Sequence, residues 1–210
     1  MTSKKMNYES EIRIFINDIE YFIKKLLNLN AKVIKRYSFI DEVYTPNNET
    51  WDIKTKCIRI RTYSDSEESK ILLSSVKLYK IKGFEFKQSK YPEGKVVLYT
   101  GKKDIVIEIL KDLGFKHLFT IEKVKGELYE IPATHNTDKF IIAVEKICYY
   151  SSKNPEKRES KYLAELEVWG ENIDDIIKKF KNRIQLLKIS EKDITNNSVP
   201  YIVFKNLGFF

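Results

Sequence analysis

A chain of 210 residues with 42% hydrophobic and 32% charged side chains is long enough for one domain, spanning residues 1–210, with a full apolar core. No apolar run reaches the length of a membrane span, residues 1–7 lack the apolar centre of a secretory signal, and the two separated cysteines, Cys57 and Cys148, indicate neither a zinc site nor a disulfide framework, so a reduced, cytoplasmic protein is expected. The 38 Lys and Arg against 30 Asp and Glu give a net charge of +8, which favours anionic partners such as phosphates or nucleic acid.

The first predicted strand covers residues 9–15. Strand alternation puts Glu9, Glu11 and Arg13 on one face and Ile12, Ile14 and Ile16 on the other. Two carboxylates at i and i+2 repel unless a cation or metal sits between them. A helix follows to about residue 30, capped by Asn17 or Asp18, with Ile19, Phe22, Ile23, Leu26 and Leu27 as its apolar stripe. Residues 32–44 alternate as a strand with a break expected near Asp41, and Pro46, Asn47 and Asn48 carry turn chemistry. Residues 56–61 place Arg59 and Arg61 on one face, with Ile58 and Ile60 on the other. A polar loop is expected over 64–69, then a strand over 76–81. Residues 84–94 match no element clearly. A strand over 95–99 and a helix over 104–113 closed by Gly114 come next. Strands are expected near 118–131, carrying Lys123 and Lys125, and near 139–149, with a polar loop over 151–160. Residues 162–169 then pair Glu165 with Glu167 against Ala164, Leu166 and Val168, and a helix covers 172–188.

Any one charged strand is ordinarily the solvent-facing half of an amphipathic strand. Here the device occurs four times, twice acidic and twice basic. Folded into one sheet and turned inward, these strands make a cavity with an anion-binding wall and a metal-binding wall, suited to a polyphosphate carrying a divalent ion. The order, two strand–helix–strand–strand units and a last acidic strand with its helix, argues against a regular parallel α/β fold. It predicts an α+β fold, an antiparallel β-barrel with helices packed outside. His117 and His135 have no ligand spacing, and seven glycines without a phosphate-binding loop speak against P-loop and dinucleotide folds.

The row Glu9-x-Glu11-x-Arg13 resembles the ExExK signature of the CYTH superfamily, the triphosphate tunnel metalloenzymes. The resemblance continues in order through Tyr44-Thr45-Pro46, Ile58-Arg59-Ile60-Arg61, Leu78-Tyr79-Lys80, Leu113-Gly114-Phe115, Glu122-Lys123-Val124-Lys125, Glu145-Lys146-Ile147, Leu163-Ala164-Glu165-Leu166-Glu167 and Ser198-Val199-Pro200-Tyr201. It implies an eight-stranded antiparallel tunnel that binds a triphosphate with Mg²⁺ or Mn²⁺. Carried over residue by residue, Glu9, Glu11, Glu165 and Glu167 would be catalytic and hold metal, with Glu145 assisting. Arg13, Arg59, Arg61, Lys80, Lys123 and Lys125 would hold the phosphates. The signature ends here in Arg rather than Lys, which alters donor geometry. The family's middle strand carries Arg-x-Glu-x-Glu, and the sequence alignment sets Glu93, Lys95 and Val97 there, without its acids.

The activity so implied is metal-dependent hydrolysis of tripolyphosphate, a nucleoside triphosphate or thiamine triphosphate. The alternatives are a class IV-type adenylyl cyclase, an RNA 5′-triphosphatase and a non-catalytic nucleotide or polyphosphate binder. The expected partner is a triphosphate-containing small molecule, with nucleic acid only as triphosphate-ended RNA, no membrane, and room for a homodimer.

Overall fold

The structure is a computed structural model that describes residues 8–46, 51–81, 83–91, 94–170 and 172–209. The chain runs β1 (Tyr8–Ile16), α1 (Ile19–Asn28), β2 (Lys32–Pro46), β3 (Lys56–Tyr63), β4 (Glu68–Ile81), β5 (Phe84–Ser89), β6 (Val96–Lys102), α2 (Lys103–Asp112), β7 (Phe115–Ile131), β8 (Phe140–Ser151), β9 (Asn154–Gly170), α3 (Ile173–Leu186), β10 (Ile194–Thr195) and α4 (Val199–Asn206). Eight strands close into an antiparallel barrel in the order β1-β5-β4-β3-β2-β7-β8-β9, with the second half of β9 returning to pair with β1 along the whole length of β1. The seam is narrow on the other side of β1, where β5 pairs only through Ser10 with Gln88 and Glu11 with Lys87. Two strands extend the wall outside the ring: β6 alongside the first half of β4, and β10 beside Arg13 and Ile14.

Alternation explains how the barrel divides its side chains. On β1, Ile12, Ile14 and Ile16 face out into an apolar cluster with α1 and α3, where Leu26, Ile176 and Phe180 are buried. Phe180 lies against Phe84 and Phe86, with ring centroids 5.5 and 6.0 Å away. Burying one such aromatic side chain stabilises the fold by about 1.5–3 kcal/mol. α1 and α3 begin at Asp18 and Asn172, whose side chains accept the backbone N–H groups of Tyr21 and Asp175. α2 covers a second outer cluster around Tyr44, Ile58, Ile60 and Ile71.

α4 does something different. Its Val199, Ile202 and Val203 pack with Val43, Cys57, Phe119, Ile121, Ile147 and Leu163. These share the inward parity of Asp41, Arg59, Lys123, Glu145 and Glu165 on their strands. One end of the barrel is therefore filled with apolar side chains and plugged by α4. The charged residues occupy the rest.

The structure departs from the sequence expectations in four places. β2 runs through Asp41 without a break. β4 begins at Glu68, inside the expected loop. The expected polar loop at 151–160 is instead strand: β8 turns at Ser152 and Lys153 into β9, with Tyr149 opposite Glu159 and Ile147 opposite Lys161. Cross-strand pairing stabilises a polar hairpin arm that composition alone marks as loop. Last, residues 84–89 form β5, and it is β5 that lies beside β1. Of the middle-strand positions expected from sequence, Glu93 lies outside the described residues, as do Asn47 and Asn48 of the expected turn. Val97 belongs to β6, away from β1, and Lys95 immediately precedes it.

Candidate functional site

The barrel encloses a cavity of about 1080 Å³. Of the residues predicted from sequence, Glu9, Glu11, Arg13, Arg59, Arg61, Lys123, Lys125, Glu145, Glu165 and Glu167 all line it. Lys80 does not. It shares the inward parity of Val76 but stands past the rim, exposed, with its Nζ 3.0 Å from Glu85, its cross-strand partner. The register of β4 carries it beyond the end of the cavity, and a lysine from β5, Lys87, lines the cavity instead.

The acidic wall is built by β1 and β9, whose register sets Glu11 opposite Glu167 and Arg13 opposite Glu165. Arg13 Nη1 donates to Glu11 Oε2 at 2.8 Å, and Nη2 lies 2.5 Å from Glu165 Oε2. Lys87, 2% exposed, adds its ammonium to Glu11 Oε1. Burial alone would push Glu11 up, but Arg13 and Lys87 together hold it far below the usual carboxylate range. Glu165, which has only a share of Arg13, is pushed up to about 7 by burial, with Glu11 and Glu145 adding repulsion. Glu145 belongs electrically to the opposite side. It pairs with Lys123 and accepts the Tyr37 hydroxyl at 2.5 Å, and despite its burial these hold its carboxyl down. Gly126 makes this possible, because a Cβ there would run into the Tyr37 ring.

Glu9 and Glu167 remain. Among the described residues, neither has an ammonium or guanidinium within ion-pair distance. Glu9 is pushed up to about 7 by burial and then by the charges of Glu167, Glu11 and Glu165. Glu167 is raised by burial, against a hydrogen bond from the Trp169 indole N–H. Gly94, at φ +73°, comes so near Glu9 that a Cβ there would lie 2.9 Å from Glu9 Oε1.

The cationic wall is built by β2, β3 and β7. Asp41, 4% exposed, was not singled out by sequence. It accepts both Arg61 Nε and Nη2 at 2.7 Å, a bidentate pair, and Arg59 Nε lies 3.2 Å from its Oδ2. The two arginines overcome the burial of Asp41 and keep it ionised. Arg61 also stacks on Phe39, its Cζ 3.6 Å from the ring centroid. Arg59 is held more loosely. Its Nε makes no aligned hydrogen bond, and its Nη1 contacts only the Cys57 sulfur at 3.8 Å. Lys35, Arg36, Lys95 and Lys125 line the mouth, and Ser198, Val199 and Pro200 line the plugged end.

The signals for the missed residues were weak. Asp41 has the inward parity of Phe39 and Val43, so the expected break masked it, and Lys87 stood in the stretch that matched no element. Glu9 and Glu167 offer hard oxygen donors of the kind that a divalent ion takes. Among the described residues, no three carboxylate, histidine or cysteine side chains converge into a ready metal cluster.

The fold has counterparts among solved structures. A conserved hypothetical protein from Pyrococcus furiosus superposes with a TM-score of 0.61 at 17% identity, covering 93% of this chain and 99% of that one. A proposed adenylate cyclase from Vibrio parahaemolyticus gives 0.54 at 11% identity over 93% and 97%. HpAC1 from Hippeastrum, a proposed adenylyl cyclase described as revealing a dominant triphosphatase activity, gives 0.55 at 11% identity over 96% of both chains. At these identities the likeness is one of fold, and the tunnel barrel that the sequence resemblance implied is the barrel observed. No protein-family model matches the sequence, and no curated protein does. Among the described residues, no helix is long and apolar enough to cross a membrane.

Proposed function

We propose that this chain works as a triphosphate-tunnel enzyme of the CYTH type, hydrolysing a triphosphate with the help of Mg²⁺ or Mn²⁺. The observation that carries the reading is one cavity with two unlike walls: arginines and lysines on β3 and β7 face a row of carboxylates on β1 and β9 that lack enough cations of their own. A polyphosphate with a divalent ion supplies both missing charges.

Glu9 and Glu167 are the residues that would hold the ion. Mg²⁺ commonly uses one or two carboxylates and completes its shell with water and substrate phosphates, which agrees with the lack of a preformed cluster. When bound, it would neutralise phosphate oxygens and make water a better nucleophile. Arg59 has donors to spare and is the first candidate to grip a phosphate, with Arg61 and Lys123 beside it, absorbing charge as the terminal P–O bond breaks. Lys35, Arg36, Lys95 and Lys125 draw the anion into the mouth. Because α4 fills the far end, substrate enters and product leaves by the same opening.

A cavity of about 1080 Å³ has room for an organic group as well as the phosphates. That favours a nucleotide and keeps a second reading, an adenylyl cyclase in which the ribose 3′-hydroxyl attacks the α-phosphate. Product analysis separates the two. Purified protein with Mg²⁺ or Mn²⁺ would be given ATP, GTP, tripolyphosphate, thiamine triphosphate and triphosphate-ended RNA, with Glu9→Ala and Glu167→Ala alongside. Phosphate release abolished in both variants is the expected result. Cyclic AMP with pyrophosphate would replace hydrolysis by cyclisation, and preference for triphosphate-ended RNA would make it an RNA 5′-triphosphatase. Binding without any turnover would reduce the tunnel to a binding site.

A further inference from the structure

The acidic wall contains a cation of its own, and its position bears on how many metal ions the tunnel takes. Glu11 sits directly across the β1–β5 seam from Lys87, and that seam is only two residue pairs long. Lys87 is 2% exposed, and its ammonium contacts Glu11 Oε1 while Arg13 takes Oε2. The carboxylates of the cavity thus fall into two sets. Glu11 and Glu145 are matched by Lys87 and Lys123, and Glu165 shares Arg13 with Glu11. Glu9 and Glu167 have no cation within ion-pair distance among the described residues, and Lys95 at the mouth only partly offsets their charge.

We infer that the Lys87 ammonium supplies, from within the chain, the charge that a second divalent ion would otherwise bring, so that the tunnel takes a single metal ion, at Glu9 and Glu167. This rests on the tunnel reading above. A metal ion that recruited Glu11 would compete with Lys87 at Oε1 or with Arg13 at Oε2. At Oε1 it would leave a buried ammonium without its counter-ion, which is far costlier than leaving the pair intact. One divalent ion matches the two remaining carboxylates in charge. Lys87 is a positioning residue in this scheme, since it acts through Glu11 and touches no substrate.

Mn²⁺ titration of the full chain with adenylyl imidodiphosphate, followed by electron paramagnetic resonance and calorimetry, tests this without turnover. The wild-type protein should take one Mn²⁺ per chain. Glu11→Gln should leave that number at one, and Glu167→Gln should weaken Mn²⁺ binding by roughly tenfold or more. Lys87→Glu should raise the number to two, with the spectrum of a spin-coupled pair. Should Lys87→Glu fail to fold, the wild type and Glu11→Gln decide the matter. Two Mn²⁺ in the wild type, or loss of the ion in Glu11→Gln, would overturn the inference and leave the tunnel reading standing. Failure of the wild type to bind the analogue would overturn the tunnel reading, and this inference with it.

Discussion

On the β2–β3 wall, Asp41 lies between two arginines and is held ionised by both. On the β1–β9 wall, Glu9 and Glu167 lie among other carboxylates and are raised by burial and repulsion. Both walls bury several charges. One is assembled in advance, with Arg61 locked by a bidentate pair and an aromatic face. The other is left incomplete. A rigid cationic wall can stabilise charge without reorganising, whereas an under-neutralised wall keeps its carboxylates raised. The difference suggests that stability resides mostly on the first wall and ligand dependence on the second.

The largest effect should come from breaking the assembled wall. Asp41→Ala leaves two buried guanidinium groups without their counter-ion, which costs about 3–5 kcal/mol, measurable by urea denaturation. Next comes Arg59→Ala. It removes one of two ion pairs to Asp41 while Arg61 keeps the other, so it should cost clearly less stability than Asp41→Ala, yet lower kcat/KM for the triphosphate by about 10²–10³-fold. A loss of stability as large as that of Asp41→Ala would show that Arg59 is structural.

The incomplete wall predicts a pH dependence of the opposite kind. Glu9 and Glu165, at about 7 in the fold against a usual 4.5, keep protons there that the unfolded chain releases. A raised carboxylate therefore makes stability fall as pH rises from about 4.5 to about 7. Glu11, Asp41 and Glu145 are shifted down and act below that window, where their contribution is lost as pH falls. In metal-free protein the thermal midpoint should drop across the upper window. Mn²⁺ should restore more of it at pH about 8 than at pH about 5.5. Glu9→Gln should flatten the drop, and an unchanged slope would remove Glu9 from the account. The smallest effect belongs to Lys80→Ala. That side chain is exposed beyond the rim, so stability should move by less than about 0.5 kcal/mol and turnover not at all.

Much of this molecule is written in two-residue periodicity. The rows Glu9-x-Glu11-x-Arg13, Arg59-x-Arg61 and Glu165-x-Glu167, each backed by apolar neighbours, determine strands with one charged face, whereas Lys123-x-Lys125 is interrupted by a bulge at Val124 that no pattern showed. Enough of them together determine a barrel with a charged interior. The helix caps Asp18 and Asn172 and the stripes behind them are equally local, and the helices form where those signals stand.

What sequence could not determine is which charge meets which. Asp41 reaches Arg61 only because β2 and β3 pair in one register, and Lys87 reaches Glu11 only because β5, unreadable by pattern, closes the barrel against β1. The same holds for the polar arm of β8 and β9, for Lys80 at the rim, and for α4, whose apolar residues enter the barrel rather than cover it. Alternation is a property of single strands and survives any fold they join. The neutralisation of a buried charge depends on a neighbour across a strand or across the cavity, and only the closed sheet brings that neighbour within reach.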